Sequence, residues 1–141
     1  MHFRNSNGFT LVEVMVTVAI LGIITAIALP QYEQYVRQAK RSDGTGSLLT
    51  VAHNLERCGT TFGRYNHPSC DVLAPAGGVD SNEGFYRVTI AVRTASTYRY
   101  TAVAQGQQLA DSAFCDNFTI DQTGTKGATG TETLARCWRD G

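Results

Sequence analysis

An uninterrupted apolar stretch near the N-terminus constrains this chain more than any other feature. It runs from Phe9 to Leu29 and stops at Pro30. As an α-helix these 21 residues span about 31 Å at about 1.5 Å per residue, close to the thickness of the hydrocarbon core of a bilayer. One acid, Glu13, lies inside the stretch, where a carboxylate costs roughly 2.5–3.5 kcal/mol to insert. The stretch predicts a membrane-spanning helix, and Glu13 is a candidate functional residue.

The eight residues before this stretch are polar, and Arg4 is their only charged side chain. The positive-inside rule keeps such a leader in the cytoplasm and places the residues beyond the stretch on the other side of the membrane. Three interpretations compete: a secretory signal cleaved at the A-x-A sequence Ala26-Ile27-Ala28, a plain single-span anchor, and a signal cut before the apolar stretch. Because Glu13 argues against the first and is unexplained by the second, we favour the third.

The sequence Gly8-Phe9-Thr10-Leu11-Val12-Glu13 resembles the processing site of type IV pilins and of the related type II secretion pseudopilins. The resemblance extends to Pro30, Tyr32, Tyr35 and Ala39-Lys40-Arg41. Over the rest, the chain looks most like a PilE-type minor pilin, a group related to the competence pilin that reads DNA uptake sequences. This resemblance implies cleavage after Gly8 by the prepilin peptidase and N-methylation of Phe9. Glycine suits a cleavage site because it lets a protease approach the backbone closely.

Cleavage there leaves a free α-ammonium on Phe9 in apolar surroundings, where a lone charge is costly and an ion pair is tolerated. Phe9 and Glu13 are four residues apart, so they can pair within one helix. The resemblance implies instead that Glu13 meets the amine of a neighbouring subunit during assembly. An acid tolerated near the membrane interface is the remaining alternative.

The resemblance also implies where such a protein resides and what it contacts. Before assembly it lies in inner-membrane lipid, with the leader in the cytoplasm and the head in the periplasm. There it contacts the inner-membrane pilus assembly machinery. After assembly it lies in the extracellular pilus, where its N-terminal helix contacts other major and minor pilins.

Helical periodicity continues after Pro30, which should kink the helix. Apolar and aromatic residues at helical spacing form one face, at Tyr32, Tyr35, Val36, Ala39 and then Leu48, Ala52 and Leu55. We predict one helix from Phe9 to Arg57, softened at Gly44 and Gly46, since each glycine costs roughly 1 kcal/mol relative to alanine. A true break at these glycines is the alternative.

The remaining residues predict a small head, so the fold class is α+β, with a long N-terminal helix packed on a small antiparallel sheet. Gly59 to Asn82 is predicted as a long loop and Gln122 to Thr133 as a turn or loop. Three strands are predicted, at Phe85–Arg93, Thr97–Ala104 and Phe114–Asp121, the last anchored in the core by Phe114, Phe118 and Ile120. Trp138 is predicted to pack at the edge of the head. The domains are then residues 1–8, 9–29, 30–57 and 58–141.

Four cysteines in this head indicate disulfides in an oxidising compartment, because a small core needs covalent support. Of the three connectivities we choose Cys58–Cys70 and Cys115–Cys137, since each pair brackets a local segment. Pilins commonly close their C-terminal region with a disulfide, which supports the choice. Zinc bound by His53, Cys58, His67 and Cys70 is a weaker alternative, and we expect no metal.

The chain carries as many Lys and Arg as Asp and Glu, 12 of each, so net charge gives no general drive toward nucleic acid. A local patch at Lys126, Arg136 and Arg139, extended by Arg57 or Arg64, is the candidate DNA contact.

The sequence shows no nucleophile elbow, HExxH or phosphate-binding glycine loop, so we expect no enzyme and no cofactor. The expected function is a structural minor pilin of the pilus or its assembly-priming complex, supporting pilus biogenesis, twitching motility and DNA uptake. A DNA-binding competence pilin, a type II secretion pseudopilin and a major pilin are the alternatives.

Overall fold

The structure, a computed structural model, describes residues 8–71, 77–111 and 113–138. Its first element is the long helix α1, Leu11–Phe62. The helix is continuous through Pro30, Gly44 and Gly46, so the prediction of one helix is confirmed and the alternative of a true break at the glycines is wrong. It begins two residues later and ends five residues later than predicted. The kink at Pro30 stays a prediction.

The chain divides into two compact units, one ending at Val36 and the other beginning at Arg37. The first unit contains the apolar N-terminal part of α1, and the second contains the rest of α1 and the head. The sequence-based domain boundaries at residues 29 and 57 stay predictions.

The head is built on a five-stranded antiparallel sheet whose strands pair in sequence order. The strands are β1 Val79–Asp80, β2 Tyr86–Arg93, β3 Tyr98–Ala104, β4 Asn117–Asp121 and β5 Lys126–Ala128. A bulge in β2 shifts the register between Ile90 and Val92. A short helix, α2 Leu134–Trp138, follows β5, and two 3-10 helices lie at Pro68–Asp71 and Gly106–Asp111.

One face of this sheet packs on α1 because alternate strand residues point to the same side. The inward side chains belong to β2, β3 and β4 and include Tyr86, Val88, Tyr98, Tyr100, Phe118 and Ile120. They meet Leu48, Val51, Ala52 and Leu55 of α1, which recur at helical spacing. Burying each of these large apolar side chains contributes about 1.5–3 kcal/mol. The predicted fold class is therefore confirmed, since a helix covers one face of an antiparallel sheet.

Several details of the head differ from the prediction. The third predicted strand begins at Asn117, and Phe114 precedes it with 43% of its surface exposed, so Phe114 is not a core anchor. The predicted loop from Gln122 to Thr133 contains β5. The predicted loop from Gly59 to Asn82 contains the last turn of α1, a 3-10 helix and β1. β1 and β5 are only two and three residues long. Such strands are too short to show an alternating sequence pattern, and they exist because they pair with neighbouring strands.

Candidate functional site

The predicted cleavage site lies just before α1. Gly8 and Phe9 are outside the helix and are exposed, and nothing lies within 4 Å of a Cβ placed on Gly8. A peptide bond in extended, uncrowded chain is accessible to a protease, whereas a helical one must first unwind. The geometry therefore fits the assignment of Gly8 and Phe9, which stays a prediction.

Thr10 and Glu13 form the start of α1. The Glu13 backbone N–H donates to Thr10 Oγ1 at 3.2 Å, and the Val14 N–H donates to the Thr10 carbonyl at 3.2 Å. This is an N-cap, in which a threonine oxygen satisfies a helix-terminal donor. Sequence reasoning missed it, although Thr-x-x-Glu before an apolar run is the pattern of a capping box. Glu13 also lies in the first turn, where a negative charge interacts favourably with the helix dipole.

The apolar side chains that follow have no cover within the chain. From Leu11 to Leu29 the large hydrophobic residues are 51–75% exposed. The segment is long and apolar enough to span a membrane, with a mean hydropathy of 2.5 over 18 residues and none of them buried. These exposed apolar side chains require either lipid or other helices around them.

In the second unit, α1 and the 3-10 helix after β3 are joined by a buried ion pair. Arg41 donates from Nε and a terminal nitrogen to the two carboxylate oxygens of Asp111, at 2.5 and 2.8 Å. Asp111 is 1% exposed, and its hydrogen bond raises the pKa of the Arg41 guanidinium. Gln108 Nε2 donates both to Asp111 Oδ2 and to the Tyr86 hydroxyl, at 3.0 and 3.1 Å. This network fixes the segment before Cys115 on the helix, and no sequence signal indicated it.

A second polar contact ties α1 to the turn between β1 and β2. Asp43 accepts hydrogen bonds from the Ser81 hydroxyl and from the Glu83 N–H. Ser81 Oγ in turn accepts from the Tyr86 N–H at 3.0 Å. Asp43 of α1 therefore fixes the position of the turn between β1 and β2.

Disulfides join Cys58 to Cys70 and Cys115 to Cys137, the pairs chosen from the sequence. The first therefore leaves no thiolate for zinc. His53 is exposed on α1, and His67 stacks on Phe62 at 4.0 Å.

The second disulfide holds α2 against the sheet. There Trp138 is 6% exposed, meets the Phe118 ring at 5.8 Å and donates from Nε1 to the Gly127 carbonyl at 2.9 Å. Trp138 is thus a packing residue, as predicted.

The two candidate DNA contacts that the structure describes, Lys126 and Arg136, each contact another side chain of the head. Lys126 Nζ lies 5.0 Å from the centre of the Trp138 ring, and Arg136 forms an ion pair with Glu132 at 2.9 Å. Both are near α2. Arg139 lies outside the described residues.

A different group of cations gathers at one end of the sheet. β2 ends, β3 begins, β4 ends and β5 begins there. The last turns of α1 reach the same end, since the Tyr65 N–H donates to the Ala95 carbonyl at 3.0 Å and its ring meets Tyr98 at 5.0 Å. We call this the α1-end of the head. Its cations, apart from Lys126 near α2, are Arg57, Arg64, Arg93 and Arg99, and its acids are Glu56, Asp71 and Asp121.

Two of these acids have partners within the α1-end. Asp71 pairs with Arg93. Asp121 accepts from the Thr123 hydroxyl at 2.6 Å, and this bond lowers the pKa of its carboxyl group. Arg57 and Arg64 are both exposed. With four cations against three acids, the α1-end carries a formal charge of +1.

Comparison with known proteins identifies the class to which these features belong. Residues 3–29 match the model described as "Prokaryotic N-terminal methylation motif". In structure, the head and helix resemble the minor pilin PilV of Neisseria meningitidis, with a TM-score of 0.54 over 71% of this chain and 93% of that one. At 20% identity this likeness shows the fold. An apolar helix with a methylation motif, continuing into a helix packed on an antiparallel sheet, defines a type IV pilin.

The family follows from a second match. Residues 30–119 match the model described as "Type IV minor pilin ComP, DNA uptake sequence receptor", which is more than half of the chain, and the chain belongs to this family of type IV minor pilins. It is also 33% identical over 105 residues to a type IV major fimbrial protein FimA of Dichelobacter nodosus. A fimbrial protein of the same organism is 33% identical over 103 residues. These alignments cover 72% and 70% of this chain and 60% and 59% of the relatives.

Proposed function

We propose that this chain is a non-enzymatic minor subunit of a type IV pilus. It waits in the inner membrane with its leader in the cytoplasm and its head in the periplasm. The prepilin peptidase cuts after Gly8, Phe9 is methylated, and the helix from residue 9 to residue 29 enters the pilus or its assembly-priming complex. The observation that carries this proposal is the apolar part of α1, which is exposed on all sides and lies within the match to the methylation motif.

Glu13 gives this helix a means of docking in register. A buried carboxylate is tolerated when an ammonium compensates it, and cleavage creates that ammonium on Phe9. In the membrane Glu13 supports the helix start with Thr10. In the filament its carboxylate pairs with the N-terminal amine of a neighbouring subunit, which favours one axial position over others.

Processing is tested by the intact mass of the protein extracted from membranes that contain the peptidase. The mature form should lack residues 1–8, carry one added methyl group and be four hydrogen atoms lighter than the fully reduced chain, because two disulfides form. A Gly8→Val variant should keep its leader, because the side chain blocks close approach of the protease. Gly22→Ala, a matched change with nothing within 4 Å of the new Cβ, should be processed normally. An N-terminus at Leu29 would instead identify a conventional signal peptide.

Assembly is tested by recovery of the chain in sheared pili. We expect the wild type in small amounts beside the major subunit. Glu13→Gln should be cleaved normally and yet be depleted from the filaments, because its neutral amide does not compensate the buried ammonium. Equal recovery of the two proteins would contradict the role given to Glu13. Recovery as the most abundant subunit would make this a major pilin.

DNA binding is a second candidate function, favoured by the description of the matched family model. The α1-end is the surface that supports it, since Arg57, Arg64 and Arg99 are exposed and phosphate contacts depend on such cations. Lys126 and Arg136 belong to the alternative contact near α2, together with Arg139. Salt-titrated gel shifts with the purified protein distinguish the two surfaces.

If DNA binds the α1-end, Arg64→Gln and Arg99→Gln should each reduce the slope of log affinity against log salt by about 1. Arg87→Gln is the matched control, because Arg87 pairs with Asp80 on β1, the sheet edge opposite β5. Loss of binding through Lys126→Gln and Arg136→Gln alone would favour the contact near α2. Absence of any shift at low salt would exclude DNA binding, since phosphate contacts are strongest there.

A further inference from the structure

Tyr32 and Tyr35 form an exposed aromatic pair in the first compact unit, just beyond the apolar stretch. Their side chains are 66% and 68% exposed. Residues three apart on an α-helix lie about 60° apart around the axis, so the two rings share one face of α1. Large aromatic side chains with this exposure require an environment other than the chain itself.

The position of the pair along the helix indicates that environment. Leu29, the last residue of the apolar stretch, is 59% exposed. At about 1.5 Å per residue, Tyr32 and Tyr35 lie about 4.5 and 9 Å beyond it along the axis. The polar headgroup layer of one leaflet is about 5–7.5 Å thick, which is half the difference between the whole bilayer and its core. A helix that spans the core therefore carries Tyr32 into the headgroup layer. The Cα of Tyr35 lies just beyond the layer, and its side chain, which tilts toward the helix N-terminus, brings the ring back to the outer boundary.

Tyrosine is chemically suited to this layer. Its ring is apolar and its hydroxyl is a hydrogen-bond donor and acceptor, which is why tyrosine is enriched at both surfaces of a membrane. The surface is also continuous with the lipid-facing one, since exposed apolar side chains extend from Leu11 to Leu29 on the same helix. Whatever surrounds Leu29 extends to Tyr32, one helical turn away.

We propose that Tyr32 and Tyr35 anchor the helix in the lipid headgroup layer of the outer leaflet. This inference rests on the proposed membrane-inserted state of the subunit. The pair sets the depth at which the helix waits, because sliding inward buries the hydroxyl groups in hydrocarbon and sliding outward exposes the rings to water. Extraction into a filament must withdraw both rings from this layer.

The test uses the full chain in phosphatidylcholine vesicles whose acyl chains carry bromine at a shallow or a deep position. Tryptophan is introduced singly as Tyr32→Trp, Tyr35→Trp or, for the middle of the span, Ile20→Trp. The chain has one native tryptophan, Trp138, which is buried in the head and gives the reference for each measurement. Fluorescence quenching by bromine and by aqueous acrylamide reports the depth of each introduced ring.

We expect Tyr32→Trp to be quenched about twofold more by shallow than by deep bromine, and Tyr35→Trp to be quenched by shallow bromine only. Ile20→Trp, in the middle of the span, should be quenched more by deep than by shallow bromine. If Ile20→Trp is quenched while both tyrosine positions respond only to acrylamide, the anchor is refuted and the membrane-spanning helix stands. If Ile20→Trp is unquenched, the membrane-inserted state itself fails, and the anchor with it. Protection of the tyrosine positions from both quenchers would show that protein, such as a second copy, covers them.

Discussion

Alanine at Gly44 and at Gly46 should change stability in opposite directions, although both residues are interior glycines of α1. A Cβ on Gly44 would lie 2.6 Å from two ring carbons of Tyr86 and 3.0 Å from a third. A Cβ on Gly46 would meet nothing within 4 Å. Sequence alone assigns the two sites the same gain in helix propensity, about 1 kcal/mol for replacing glycine by alanine.

The contacts of Tyr86 set the cost at Gly44. The ring is fully buried, meets Phe118 at 5.4 Å and has its hydroxyl bonded by Gln108. To reach ordinary contact distance it must move by about 1 Å. Such overpacking costs typically 1–3 kcal/mol, and the loss of the Gln108 hydrogen bond costs about 1 kcal/mol more. After the propensity gain, Gly44→Ala should lower the free energy of unfolding by about 1–3 kcal/mol.

Urea unfolding of the disulfide-intact chain in non-ionic detergent, followed by Trp138 fluorescence, measures both variants. Gly46→Ala should raise the free energy of unfolding by about 1 kcal/mol, which separates the two variants by about 2–4 kcal/mol. The denaturant dependence should stay unchanged, because neither substitution alters the area exposed on unfolding. If Gly44→Ala stabilised the protein as much as Gly46→Ala, the close packing of Tyr86 on the helix would be refuted.

Three further predictions concern the head. Asp111→Asn leaves the Arg41 charge uncompensated and should lower the unfolding free energy by about 3–5 kcal/mol in urea titrations; a loss below 1 kcal/mol would contradict a structural ion pair. Burial raises the pKa of Tyr100 to about 12 and also those of Tyr86 and Tyr98. Unfolded tyrosine deprotonates near pH 10, so the contribution of these tyrosines to stability should be constant below about pH 10. Above it, stability should fall by up to about 1.4 kcal/mol per pH unit for each tyrosine; stability that stays level or rises above about pH 10 would contradict the raised pKa values. Replacing both Cys115 and Cys137 by alanine should cost about 2–5 kcal/mol and shift Trp138 emission to the red, whereas an unchanged spectrum would show that α2 docks without the disulfide.

The features that the sequence predicted well are those determined by residues close together in the chain. The apolar part of α1 is recognisable from its length and apolarity, and the methylation motif from its local pattern. The strands β2 and β3 show the alternation of half-buried strands and were predicted within one residue of their observed bounds. The N-cap at Thr10 was also available from the spacing and was missed.

The sequence did not predict features that depend on distant partners. β5 lies in a glycine- and threonine-rich segment and becomes a strand because β4 offers hydrogen-bond partners to it. Phe114 has the residue type of a core anchor, yet it precedes the strand and lies on the surface, with Arg37 5.8 Å from its ring centre. Asp111 is a charged residue in a polar segment, and only its bidentate contact with Arg41 explains its burial.

By itself, therefore, the sequence determined that this chain has an apolar helix, a processing motif and a small disulfide-bonded head. Hydrophobicity, charge and local spacing carry that information, because they act over a few residues. Only the tertiary structure decided why Gly44 must be glycine, which loops α1 holds through Arg41 and Asp43, and which cations gather at the α1-end. These depend on residues that are far apart in the sequence and are brought within a few ångströms by the packing of α1 on the sheet.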